Sequence, residues 1–188
     1  MIIFPGNPGR QYARTRHNLP WMALDTFSEG RNLMWKSKFN GKWSSVQEGG
    51  EKTILLQPLT FMNLTGKSVQ NAAAFFKIKT EDILVLHDDL ELPFGFLALK
   101  KGGGAGGHNG LRSIASNLGG NGFCRLRMGI SRPGRQSPAS YVLDRFSREE
   151  EAELPDFLNA ACRITEEWIT GSSRTLAEKY KKKHYMEV

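Results

Sequence analysis

Cysteine is nearly absent from this sequence, and so is any long apolar run. Cys124 and Cys162 are the two cysteines in 188 residues, and neither has the paired spacing of a metal or redox site. That excludes a disulfide scaffold and suits free thiols in a reducing compartment. No stretch approaches the ~20 apolar residues that span a bilayer. The opening Met1-Ile-Ile-Phe-Pro-Gly6 lacks the basic start and apolar length of a secretory signal. The expectation is a soluble, cytoplasmic chain. Acid is scarce as well: 19 Asp and Glu against 26 Lys and Arg leave a net charge of +7. The excess is clustered. Between positions 125 and 148, Arg125, Arg127, Arg132, Arg135, Arg145 and Arg148 stand with one acid, Asp144, and Lys179, Lys181, Lys182 and Lys183 form a second group. Clustering on top of excess favours a polyanionic partner, nucleic acid first, over a merely solvated surface.

What remains is ordinary globular material. Hydrophobic residues at 39% and charged residues at 24% argue against disorder, and the length fits one domain with its own core. Residues 1–4 read as a short buried strand ended by a Pro/Gly turn cluster, and residues 21–27 as a helix with Pro20 in its first turn. Asn40-Gly41 between aromatic-bearing runs signals a hairpin. Residues 53–57, 83–86, 96–99 and 124–130 read as strands, the last with its arginines alternating outward. Val69, Ala72, Ala73 and Phe76 share one face of a helix over 67–76, and Leu111, Ile114, Ala115 and Leu118 repeat that spacing before Gly119. Ser147-Arg-Glu-Glu150 has the capping-box pattern. Pro155 then either breaks that helix or starts a second, whose apolar face is Phe157, Ala161, Ile164 and Trp168. A last helix is expected over 173–183. Alternating strands and helices predict a single α/β domain over residues 1–188, with a central, mostly parallel mixed sheet between helical layers.

Two glycine motifs mislead. Gly66-Lys67-Ser68 resembles the end of a phosphate-binding P-loop, but that motif needs glycine at position 61, which is Phe. Gly102-Gly-Gly-Ala-Gly-Gly107 formally satisfies the dinucleotide fingerprint, yet the acid expected ~20 residues onward is missing. The run reads instead as a flexible, closely approachable loop.

The chemistry-bearing residues lie at the connections. They are Asn7 in Gly6-Asn-Pro-Gly9, His17-Asn18, Asn63 after Phe61-Met62, Asn109 in Gly107-His-Asn-Gly110, and Asp88-Asp89 after the 83–86 strand. Singly, each has a plain alternative: an Asx turn for Asn7, helix caps for Asn63 and Asn109, a surface histidine for His17. Together they form a coherent set. A neutral His can take a proton from water near neutral pH, and a buried Asp can fix its tautomer. Such general-base help is worth ~10²–10⁴ in rate. Asparagine N–H₂ groups can hold a carbonyl and stabilise its oxyanion. No serine or cysteine sits in a nucleophile elbow, so activated water is the economical nucleophile. His87, His108 and His184 have no metal-site spacing.

These segments also carry a resemblance. Gly6-Asn-Pro-Gly-Arg-Gln-Tyr12 through Arg16-His17-Asn18, Pro58-Leu-Thr-Phe-Met-Asn63, His87-Asp88-Asp-Leu-Glu-Leu-Pro93, the 102–111 block and Arg125-Leu-Arg-Met-Gly-Ile130 followed by Arg132-Pro-Gly134 resemble, in order and spacing, the bacterial-type peptidyl-tRNA hydrolases. The resemblance runs to about residue 170. It implies a monomeric α/β fold that hydrolyses the ester between a peptide and the tRNA 3′ ribose, with no metal or organic cofactor. It implies His17 as general base, Asp88 as its orienting carboxylate and Asn109 as the group that positions water or the substrate carbonyl. It further implies that Asn7 and Asn63 hold the peptidyl moiety, that Met62 lines the channel, and that Tyr12 and the 102–107 loop border the cleft. Lys100 and Arg127 match the basic positions that hold the tRNA acceptor stem. The chain departs from the pattern at Pro5 and Pro20, each of which removes a backbone donor beside a site residue, and at Gln136, which replaces a basic residue. The 179–183 cluster reads first as a charged, solvated helix end and second as a tRNA contact.

Overall fold

The computed structural model describes residues 1–48, 50–171 and 173–188. Its framework is one eight-stranded sheet. The strands are β1 (Ile2–Ile3), β2 (Lys36–Lys38), β3 (Gly41–Glu48), β4 (Glu51–Pro58), β5 (Leu84–Asp89), β6 (Phe96–Lys101), β7 (Cys124–Gly129) and β8 (Lys183–His184), in the order β2-β3-β4-β1-β5-β7-β6-β8. The chain is a single α/β domain, as expected, but parallel pairing is confined to β4, β1, β5 and β7. The outer strands pair antiparallel; on the β2-β3-β4 side, short connections leave no room for a crossover.

Alternation along the central strands assigns the two faces. Ile2, Phe4, Leu84, Leu86, Leu126 and Met128 point to one side. They are covered there by α1 (Leu19–Ser28) through Leu19, Ala23 and Phe27, and, beyond the short α4 (Pro138–Tyr141), by α5 (Arg148–Thr170) through Phe157, Ala161 and Ile164. Ile3, Leu56 and Val85 point to the other side, under Val69, Ala72 and Ala73 of α2 (Thr65–Phe76) and Leu111 and Ile114 of α3 (Asn109–Leu118). This second layer stops at β5. The β7–β6 half of that face bears Arg125, Arg127, Ala98 and Lys100, with Lys100 opposite Arg125 and Ala98 opposite Arg127.

Four expectations are revised by packing. The hairpin turn is Phe39-Asn40, both at positive φ. Gly41 belongs to β3, where a Cβ would come 2.5 Å from the Gln57 carbonyl. Arg125 does not alternate outward; it is buried. Helix α5 runs unbroken through Pro155. An interior proline costs about 3 kcal/mol, but Pro155 lies on the exposed side, where solvent takes the freed carbonyl, while Leu154, Phe157 and Leu158 are buried around it. The last helix, α6, covers only Ser173–Lys179, after which Tyr180 turns into the core and Lys183–His184 joins the edge of β6. A run of lysines has no apolar stripe to continue a helix.

The two unusual prolines fit. Pro20 lies in the first turn of α1, where its missing N–H is of no consequence. Pro5 follows the end of β1, where the Phe4 carbonyl instead accepts from the Trp21 indole N–H at 3.0 Å. Gly66 serves close packing: a Cβ there would lie 2.0 Å from the Ser113 carbonyl oxygen of α3. Gly66→Ala is therefore expected to lower the unfolding free energy in urea by about 1–3 kcal/mol through overpacking. Lys67→Ala, on the exposed side, should change it by less than about 0.5 kcal/mol.

Candidate active site

Loops leaving the C-terminal ends of parallel strands converge where an open α/β sheet ordinarily holds its ligand. Asn7 follows β1, Met62 and Asn63 follow β4, and Asp88 and Asp89 end β5. His17 arrives on a 3₁₀ turn, Arg16–Asn18. That turn is pinned from the far end of the chain. The His17 N–H donates to the Val142 carbonyl at 2.8 Å and the Arg16 N–H to that of Asp144 at 3.0 Å. The buried Arg16 guanidinium donates to the Arg145 carbonyl and to Glu150 Oε2, the latter at 2.6 Å, and lies 4.2 Å from the centre of the Tyr141 ring.

Asp88 is the electrostatic centre. Its buried carboxylate accepts from His17 Nδ1 at 2.9 Å and from His108 Nε2 at 3.0 Å. Burial alone would raise its pKa, but the two imidazoles, by charge and hydrogen bond, hold it far below the usual carboxylate range. Burial likewise pushes His17 down, while the charge and hydrogen bond of Asp88 push it up, and the net direction is up. His87 is buried beside them. Its Nδ1–H donates to the Asp88 carbonyl at 2.8 Å, and burial, with His108 nearby, brings its pKa to about 3. It stays neutral.

Tautomers follow from the partners. His108 Nδ1 accepts from the backbone N–H groups of Gly110 at 3.1 Å and Leu111 at 3.3 Å, capping α3. In the neutral ring the proton is then on Nε2, aimed at Asp88. His17 gives its Nδ1–H to Asp88, so its Nε2 lone pair is left for the cleft. The atoms of His17, Asp88 and His108 lie within 4.8 Å of one another, close enough for a metal ion. In this geometry, each ring nitrogen facing Asp88 carries the proton that it donates.

Asn7 is held by three hydrogen bonds. Asn18 accepts from its N–H at 2.8 Å and donates to its carbonyl at 2.9 Å, while Asn7 Oδ1 accepts from the Met62 N–H at 2.8 Å. With Oδ1 committed, the Asn7 N–H₂ is the end left over. Met62 is buried against Gly110, where a Cβ would lie 2.5 Å from its sulfur. A cavity of about 410 Å³ joins His17, Asp88, His108 and Asn109 to Lys100 and Arg127. Asn109 is exposed, and since His108 caps the helix, its amide is uncommitted. Tyr12, Asn63, Asn7 and Met62 lie outside the cavity wall; Asn63 is exposed and Tyr12 half-buried on the 3₁₀ turn Arg10–Tyr12. Lys100 is exposed and, among the described residues, in no ion pair, whereas Arg127 Nε donates to Asp89 Oδ2 at 2.7 Å.

Sequence reasoning gives no role to His108 or Arg16, and it names Asn18 only as the neighbour of His17. His108 was legible only as the residue preceding the 111–118 helix face, the place of a cap. The tautomers are open to measurement. In ¹⁵N-edited NMR at neutral pH, His108 should carry its proton on Nε2 and His17 on Nδ1; a proton on Nδ1 of His108 would contradict the capping geometry.

Comparison with known proteins gives the family. Residues 1–187 match the family described as peptidyl-tRNA hydrolase. A peptidyl-tRNA hydrolase of Geobacter metallireducens is 46% identical over 180 residues, covering 94% of this chain and 92% of that protein. One from Lactobacillus johnsonii is 43% identical over 174 residues, covering 92% and 94%. The crystal structure of peptidyl-tRNA hydrolase from Acinetobacter baumannii superposes with a TM-score of 0.87 at 33% identity, over 96% of this chain and 94% of that one. From its first residue to its last but one, this chain belongs to the peptidyl-tRNA hydrolase family.

Proposed function

We propose that His17 Nε2 is the general base of peptidyl-tRNA hydrolysis in this protein, the activity that family membership assigns. The observation that carries the reading is the buried His17 Nδ1–Asp88 contact at 2.9 Å in a histidine that lines the cavity. A water molecule gives a proton to Nε2 and attacks the ester carbonyl carbon. The oxyanion accepts from the uncommitted amide of Asn109, and the intermediate collapses by breaking the bond to the ribose oxygen. That oxygen takes the proton back from the imidazolium, so peptide acid and free tRNA leave and His17 is neutral again. Asp88 keeps the base in its tautomer and stabilises the transient imidazolium, and His108 donates to the same carboxylate oxygen and helps hold it in place.

The peptidyl part is held by the Asn7 N–H₂ and Asn63, with Met62 and Tyr12 bordering the path. The tRNA acceptor stem lies along the uncovered half of the sheet face, with Lys100 as its free cation and Arg127 beside it. Residues 1–188 act as one catalytic unit, a monomer in the cytoplasm, with no cofactor in the reaction. Among the described residues no helix is long and apolar enough to cross a membrane.

His17→Ala should lower kcat on an N-acetylated aminoacyl-tRNA by about 10²–10⁴ with the melting temperature intact; normal turnover would refute the base. The pH profile has a definite sign. The base works only when neutral, and Asp88 raises its pKa, so the acid limb of kcat/KM lies above the ordinary histidine value of 6.5. Asp88→Asn removes that charge and should move the limb to lower pH as well as depress the rate; an unmoved limb would mean that another group sets it. For the RNA surface, Lys100→Glu should raise KM for the tRNA substrate and flatten the log–log salt dependence by roughly one counterion or more. Turnover of a small N-blocked aminoacyl ester should be spared.

A further inference from the structure

The 102–107 loop forms one wall of the cleft and leads directly into His108 and Asn109, yet little side-chain packing supports it. Gly102, Gly103, Gly106 and Gly107 all have positive φ, and a Cβ on Gly104, Gly106 or Gly107 would meet nothing within 4 Å. Glycine backbone of this kind loses much entropy on ordering, so its position depends on tethers. Arg125, which begins on the neighbouring strand β7, donates from Nη1 to the Gly104 carbonyl at 2.9 Å and from Nη2 to that of Gly102. Asn121 Nδ2 donates to the Gly103 carbonyl between them at 3.0 Å. At the other end the His108 N–H closes back on the Ala105 carbonyl at 2.9 Å.

Arg125 is placed for this and poorly placed for RNA. It is buried, with both terminal nitrogens committed to the loop, and among the described residues no carboxylate lies at ion-pair distance from it. Lys100 beside it is exposed. The fit also constrains the loop: a Cβ on Gly103 would lie 2.7 Å from Arg125 Nη2 and 3.2 Å from Lys100 Nζ. Two carbonyls held by one planar fork is a task for arginine and not for lysine.

We propose that Arg125 is a positioning residue for the hydrolysis: it fixes the 102–104 arm of the glycine loop, so that the other arm delivers His108 to Asp88 and Asn109 to the reacting carbonyl. This inference rests on the reading of His17 and Asp88 as base and orienting carboxylate. Arg125 touches no substrate; it acts through the loop.

The test uses Arg125→Lys and Asn121→Ala in the full chain, with His17→Ala as control. Each is assayed on N-acetylaminoacyl-tRNA and on an N-acetylaminoacyl ester of adenosine, which carries no phosphate. Displacing catalytic groups by a fraction of an ångström to an ångström should lower kcat in Arg125→Lys about tenfold to a hundredfold on both substrates, with KM for the tRNA unchanged. Asn121→Ala, at an exposed position, should shift kcat the same way by less. Hydrogen exchange at amides 103–108 should quicken in both variants while β7 stays protected. A loss confined to KM for the tRNA substrate would make Arg125 a phosphate contact and overturn the proposal. So would an unchanged kcat on both substrates while His17→Ala is inactive. Full turnover by His17→Ala would instead sink the underlying base assignment, in a separate arm. Should Arg125→Lys fail to fold, Asn121→Ala decides: faster loop exchange with undiminished kcat counts against the latch.

Discussion

One buried carboxylate organises this molecule's working end. Asp88 lies at the C-terminal end of the central strand β5, and its Oδ1 accepts from two neighbouring imidazoles, whose ring centres are 4.8 Å apart. A lone carboxylate in that position would be driven to protonate. Shared between two N–H donors it stays ionised, and each ring is fixed in a tautomer by what its second nitrogen does. His108 spends its second nitrogen on the helix cap, while that of His17 is left open. In the proposed mechanism, the difference between a supporting and a reacting histidine is set by a pair of backbone N–H groups.

The sheet supplies the second half of the arrangement. The period-two alternation that sends Leu126 and Met128 into the core beneath α5 must send Arg125 and Arg127 to the opposite face. Because α2 and α3 cover only the β4–β1–β5 side, those basic residues line an open floor beside the cavity. They are not equivalent. Arg127 is paired with Asp89, Arg125 is enclosed under the glycine loop, and Lys100 faces solvent. Alternation alone assigns the face; only the tertiary partners assign the roles.

That distinction marks what was legible in the sequence. The elements with strong periodicity or clear punctuation, such as the 67–76 and 111–118 helix faces and the Ser147–Glu150 box, emerge close to where they were read, because local signals suffice for them. His17, Asp88 and Asn109 were found as polar residues at connections. The bond between His17 and Asp88 spans 71 positions, and no local pattern encodes it. His108 was set aside for lacking metal spacing, although its task is a hydrogen bond and a cap. Gly66 resembled a phosphate loop when its purpose is to let α2 approach α3. Arg125 was read outward by simple alternation, which is correct about its face but blind to the loop that folds over it.

The pinning of His17 has a consequence for the order in which the chain is made. Its backbone is held by Val142 and Asp144, and its neighbour Arg16 by Arg145 and Glu150. These partners leave the ribosome more than a hundred residues after the histidine itself. A chain of this family is, while being synthesised, a peptidyl-tRNA, the very ester its finished form cleaves. Until residues 142–150 have emerged, the contacts that hold the His17 turn do not exist, so the proposed catalytic centre stays unassembled through the synthesis of everything before them.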